Sequence, residues 1–318
     1  MVALVFNCKL IKSAHHRIQH RIFLIFLREK YACTEKRIKM KSIVISDIDY
    51  NDKGIMPYAL RLARDLDSEV KVIHVIDTRT LQGIYTPYSD SQSVTAGVES
   101  YDEIIEKEKH TAHDNLRKHV GRESSMLNYP LRVTYEVIVG NIDNVVADET
   151  ESSSNSLLML SGRPKGKIWE TYEDVFHIVA RSKNPVWLIP PGQTYKTPKN
   201  VLFISNLEDH ESEHLKSAVK MLKPMGIQLN ALETSGKPNL KRAFEEQKNW
   251  HWIVKDIEQY YTLEGNNAAR IKQLTTQKNI ELIILFEKKR NLIKRVIGKS
   301  ITEKLAEILD IPMLVFYD

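Results

Sequence analysis

Thiols are almost missing from this 318-residue chain: its two cysteines, Cys8 and Cys33, both lie before Met40. Beyond Cys33 no cysteine is left to form a disulfide, complete a cysteine-based zinc site or act as a thiol nucleophile. Long apolar runs are missing too, since stretches such as Ile283–Phe286 have core-strand length, far below the roughly 20 residues of a membrane-spanning helix. No serine stands in a Gly-x-Ser-x-Gly elbow, which removes the hydrolase nucleophile signature. The eleven histidines form no HExxH-type pattern, and His110 and His113, beside Asp114, read as solvated residues of a charged helix.

Charge is present but unevenly placed. The formal net charge is +5. Residues 1–39 hold nine Lys/Arg and two Asp/Glu, a local charge of +7, which leaves residues 40–318 at −2. A nearly neutral body does not suggest nucleic acid as a partner, although Glu287–Arg290 with Lys294 and Arg295 makes one basic patch. The segment before Met40 is a poor signal peptide, because Ile22–Leu27 is short and is followed by charge rather than a small-residue cleavage site. It reads either as a basic membrane-surface segment or as sequence upstream of a true start at Met40. The second is favoured, because Met40 directly precedes the first predicted strand.

From Met40 the chain alternates strand and helix signals. Ser42–Ser46 is a buried-strand run, and Ile55, Tyr58, Ala59, Leu62 and Ala63 recur at helical spacing. Strands follow at Val70–Ile76, Leu131–Val139, Leu157–Leu160 and Val186–Ile189, with helices at Tyr101–Val120 and Ile142–Glu149 between them. Parallel strands joined by helices make a doubly wound α/β sheet. Pro190–Pro198, with three prolines and a glycine, reads as a linker. After it the pattern restarts: Lys199–Asn206 repeats the form of Met40–Asp47, Gly265-Asn266 that of Gly140-Asn141, and Pro312–Phe316 that of Pro185–Ile189. The expected organisation is a leader (1–39), a first domain (40–191), a linker (192–198) and a degenerate second domain (199–318).

Ser46-Asp47, the helix Tyr58-Ala-Leu-Arg-Leu-Ala63 and the strand Val72-Ile-His-Val-Ile-Asp77 resemble the opening of a universal stress protein domain, and both halves fit as a tandem pair. The resemblance implies Rossmann-like domains that pair through their last strands as a pseudo-dimer, with a further homodimer and a protein partner in prospect. It also implies a cytoplasmic role in stress response.

In the nucleotide-binding branch of that family, the first-strand Asp contacts adenine, residues at the next strand ends line the pocket, and a glycine loop after the fourth strand holds phosphates. Carried over, those roles fall on Asp47, Val75, Gly140, Gly162 and Gly166, and in the second half on Gly298 and Ser300. ATP or AMP would be the ligand. Glycines let backbone amides approach an anion, and a helix N-terminus favours negative charge.

The loop departs from that pattern. In MLSGRPKGKIWETYEDVF (159–176), Gly162 and Gly166 are separated by three residues rather than two, Pro164 removes an amide, and Tyr172-Glu-Asp174 stands where Gly-Ser belongs. Two carboxylates there would repel phosphates. The second half keeps Gly298 and Ser300 but lacks the early glycines, and Ser300 with Glu303 also spells a capping box. The expectation is a regulatory or protective binding module with degenerate adenine-nucleotide sites, no bound cofactor or metal, and no enzymatic role. The alternative is an ATP- or AMP-binding enzyme or phosphotransfer module working at the first crevice.

Overall fold

The computed structural model describes residues 40–46, 54–79, 100–163, 171–234, 240–263, 267–288 and 299–317. Both readings of residues 1–39 concern sequence outside these. In the first half β1 (Lys41–Ile45), β2 (Glu69–Ile76), β3 (Val133–Val139), β4 (Ser156–Ser161) and β5 (Val186–Ile189) alternate with α1 (Met56–Asp65), α2 (Tyr101–Ser125), α3 (Ile142–Glu151) and α4 (Tyr172–Arg181). The second half supplies β6 (Asn200–Ser205), β7 (Gln228–Glu233), β8 (Ile257–Thr262), β9 (Leu282–Glu287) and β10 (Met313–Tyr317). Its helices are α5 (Asp209–Leu222), α6 (Leu240–Glu246), α7 (Ala268–Gln277) and α8 (Ile301–Ile308).

Local chemistry sets the helix boundaries. Ser100 opens α2 with a capping box: its hydroxyl accepts from the Glu103 N–H at 3.2 Å while Glu103 accepts from the Ser100 N–H at 2.7 Å. The helix runs past the expected end at Val120, because the backbone of Gly121 stays helical and Glu123 packs inward at 6% exposure. Gly226, at φ +63°, ends the short turn after α5 in a left-handed conformation that glycine adopts without strain.

The ten strands form one sheet in the order β3-β2-β1-β4-β5-β10-β9-β6-β7-β8. Strand order 3-2-1-4-5 therefore occurs twice, the second time from the opposite edge. Each half is parallel throughout, and the halves meet where β5 pairs antiparallel with β10, Trp187 opposite Leu314. The C-terminal strand ends of the two halves consequently face opposite directions. Side chains alternate between faces: Val44, Leu157 and Met159 join Leu62 of α1, Leu116 of α2, Leu215 of α5 and Phe244 of α6. Ile43, Ile45, Leu158 and Leu160 join Val146 of α3, Phe176 of α4, Ile271 of α7 and Leu305 of α8. A sheet covered on both faces explains why its strands read as unbroken apolar runs.

The segment 190–198 has neither helix nor strand, yet it is tied down. Tyr195 donates to the Asp65 carboxylate at 2.6 Å and Thr197 to the same oxygen at 2.5 Å, while the Tyr195 ring meets Tyr58 edge-on at 5.0 Å.

Candidate functional site

Ligands of open α/β sheets bind outside the carboxyl ends of the strands. In the first half that crevice is bounded by Ser46, Asp77, Gly140 and Gly162. Asp77 is 2% exposed and heavily engaged: Oδ1 accepts from the Arg79 backbone N–H at 3.0 Å and Nε at 2.9 Å, and Oδ2 from Arg79 Nη2 at 2.6 Å and from the Ile142 N–H at 3.2 Å. Burial alone would raise its pKa, but the Arg79 guanidinium and these N–H groups outweigh that and hold it below the ordinary carboxylate value. Arg79 also reaches Asp143 at 3.6 Å, and Asp143 shares a hydrogen bond with His177 Nδ1 at 3.0 Å. Asp77, Arg79, Asp143 and His177 are thus linked side chain to side chain beyond the ends of β2 and β3.

Beyond β4, the N-terminus of α4 is supplied with an anion by its own sequence. Asp174 accepts from the Thr171 N–H and hydroxyl, both at 2.9 Å, and Thr171 Oγ1 accepts from the Asp174 N–H at 3.2 Å. Glu173 and Asp174 place two negative charges in the first turn, where the helix dipole favours them. Arg163 forms an ion pair with Asp310 of the second half.

The second half reaches the same result with different residues. Register aligns the halves: Leu158 pairs with Val186 just after Pro185, and Ile283 with Met313 just after Pro312. Glu287 therefore stands where the first half has Gly162. Its Oε1 accepts from the Thr302 N–H at 3.3 Å and from the Thr302 hydroxyl, so a carboxylate occupies the first turn of α8. Ser300 caps that helix, its Oγ accepting from the Glu303 N–H at 3.1 Å while Glu303 accepts from the Ser300 N–H at 3.0 Å. The β6–β7 register likewise aligns Asn206 with Asp47 and Thr234 with Val75. Thr234 Oγ1 donates to Asn206 Oδ1 at 3.1 Å, closing the floor of that crevice.

The sequence-predicted residues are distributed as follows. Asp47, Gly166 and Gly298 lie outside the described residues. Val75 is core, 1% exposed against Ile43 and Val146. Gly140 donates its N–H to the Ile76 carbonyl at 3.0 Å, and a Cβ there would lie in ordinary contact, 3.9 Å from Val145 Cγ2. Gly162 donates to Ile189 at 2.9 Å, and a Cβ there would lie 3.4 Å from Leu188 Cβ, so its close neighbour is β5. Ser300 is a helix cap. Asp77, Arg79, Asp143, His177 and Glu287 carry the crevice chemistry without having been singled out. Aligning the two halves would have found Glu287; the Asp143–His177 contact links α3 to α4 and leaves no spacing signal.

One further cleft, of about 240 Å³, runs between α4 and α8 on a single face of the sheet. Tyr172, Phe176 and His177 form one wall and Glu287, Ser300 and Glu303 the other. Among the described residues no group of His, Cys, Asp and Glu is placed to hold a metal ion. No described helix is long and apolar enough to cross a membrane.

Two parallel half-sheets of order 3-2-1-4-5, joined through their fifth strands, define a class of doubly wound protein. That fold is the universal stress protein fold. A universal stress protein from Archaeoglobus fulgidus DSM 4304 superposes with TM-score 0.64 at 14% identity, covering 86% of this chain and 97% of its own. A provisionally named universal stress protein from Pseudomonas aeruginosa UCBPP-PA14 gives 0.54 at 12% identity, with 88% and 94% covered. A functionally unknown protein from Pseudomonas aeruginosa PAO1 gives 0.53 at 13%, with 88% and 93% covered. No protein-family model and no curated protein matches the sequence.

Proposed function

We propose that this chain is a tandem universal stress-type protein working in the cytoplasm as a regulatory or protective binding module, with adenine-nucleotide sites that have degenerated and no catalytic role. One observation carries the reading: at both helix N-termini that would receive phosphates, the chain supplies its own carboxylate, Asp174 in the first half and Glu287 in the second. A phosphate brought within about 4 Å of either would meet repulsion of order 4 kcal/mol at an effective dielectric near 20. Arg79, beside the first crevice, is already clasped by Asp77.

Action would then pass through a surface presented to a partner protein rather than through turnover. The test is calorimetric titration of the full chain with ATP, AMP and cyclic nucleotides at millimolar concentration, with and without magnesium. No saturable heat is expected. Saturable binding of ATP that Asp47→Ala weakens would overturn the proposal and favour an ATP-binding enzyme or phosphotransfer module at the first crevice.

A further inference from the structure

The sheet ends on the first-half side at β3, which pairs only with β2, in an unbroken parallel register from Val70–Val133 to Ile76–Val139. The Val70 N–H donates to the Arg132 carbonyl at 2.9 Å and the Gly140 N–H to the Ile76 carbonyl at 3.0 Å, so the even-numbered residues turn their backbone groups toward β2. Alternation then aims the N–H and C=O groups of Val133, Tyr135, Val137 and Val139 outward. Among the described residues none of these outward groups has a hydrogen-bond partner.

Edge strands are ordinarily blunted by proline, lysine or a bulge. Val133-Thr-Tyr-Glu-Val-Ile-Val139 has no proline, lysine or glycine and is made almost wholly of β-branched and aromatic residues, the types that favour strands. The opposite edge is built differently: β8 shifts register against β7, Ile257 pairing with Leu229 and Gln259 with Asn230, and such a bulge spoils the edge for regular pairing. Charge indicates what fits β3. Glu136 and Arg132 are both exposed and share one face of the strand, Glu136 lying 2.9 Å from Lys71 and Arg132 2.9 Å from Glu69. In an antiparallel pairing with a second copy centred on Tyr135, Val133 exchanges hydrogen bonds with Val137 and Tyr135 with its counterpart, about six bonds in all. Thr134 then faces Glu136, and Glu136 stands diagonally across from Arg132, within reach of a long side chain. A two-fold centred on Glu136 would set carboxylate against carboxylate, and one centred on Val137 would set Glu136 against Ile138. The register at Tyr135 is thus the self-complementary one of the three.

We propose that β3 is the pairing edge of a homodimer, two copies joining antiparallel through residues 133–137 with Glu136 of each reaching Arg132 of the other. The two-fold axis stands perpendicular to the sheet, so α2 of both copies lies on one face, and the joined sheet ends at a bulged β8 on either side. The contact is isologous and closes at two copies. It goes beyond the nucleotide reading and stands whether or not a nucleotide binds.

The test is sedimentation velocity of the full chain over a concentration series reaching about 100 µM, because one strand pair is a small interface and the dimer is expected to be of micromolar strength. Glu136→Lys and Arg132→Glu, each at an exposed position, are expected to weaken dimerisation about tenfold, since each places two like-charge pairs across the axis. An equimolar mixture of the two variants is expected to restore the dimer, because lysine 136 then meets glutamate 132 and the unchanged Arg132 meets the unchanged Glu136. Loss of the ion pairs within each chain cannot produce that rescue. A chain that stays monomeric throughout the series, single variants that dimerise like the parent, or a mixture that fails to restore the dimer overturns the proposal.

Discussion

Glu211 lies 3% exposed under the first turn of α5 and accepts from the Ser205 hydroxyl at 2.6 Å and from the N–H groups of Asn206 and Glu208, both at 3.1 Å. Burial pushes its pKa above the ordinary 4.5, and the Ser205 hydroxyl and Glu208 N–H offset that only in part. The folded state therefore holds this proton to higher pH than the unfolded state does. Stability should fall as pH rises from about 4.5 through the folded pKa, and the loss is complete above it. Glu211→Gln removes that titration while keeping an acceptor for the amides. Urea unfolding across a pH series should show a flatter profile for the variant, whereas parallel profiles would assign the slope to other groups. Nothing in the spacing of Asp209-His-Glu-Ser-Glu213 marks its middle glutamate as buried, and only the tertiary fold turns it inward. The Ser300–Glu303 cap was legible because capping needs nothing beyond a three-residue spacing.

Elements were easier to read than the ties between them. The strands β1, β2, β5, β6 and β10 follow from apolar runs each closed by Ser, Asp, Asn or Pro, and the restart at Lys199 announces the second half. The prolines of 190–198 mark a segment without regular structure but say nothing of its anchorage, since Asp65 lies 130 residues from Tyr195. Burial would raise the Asp65 pKa, but hydrogen bonds from Thr197, Tyr195 and Arg64 overcome it and hold the carboxylate below 3.8. The stability this supplies is present above 3.8 and is lost as pH falls through the folded value. Asp65→Asn keeps one acceptor oxygen but loses the charge, so it should cost about 1–3 kcal/mol at neutral pH, measured by urea unfolding, and open the linker to limited proteolysis. Combined with Tyr195→Phe, the loss should be smaller than the two single losses added, because both changes break one bond. Full additivity would show that Tyr195 contributes through packing alone.

For the whole molecule the decisive feature is the β5–β10 seam. Trp187, Leu188, Leu314 and Val315 are each at most 1% exposed, and the Arg163–Asp310 pair crosses between the halves near the same place. An open edge on either half would expose unpaired backbone groups along an apolar strand; here each half caps the other. This coupling predicts that the halves unfold together. Leu314→Ala should destabilise by about 2–5 kcal/mol, as expected for truncating a buried leucine, and lower protection in both halves. Hydrogen exchange at rising urea checks it: amides of β2 and of β7, on opposite sides of the seam, should lose protection at one midpoint, and the variant should move both midpoints by the same amount. A shift confined to β7 would mean two independently stable halves touching at an edge. A shared midpoint would make the seam the route by which an event at one crevice reaches the far half.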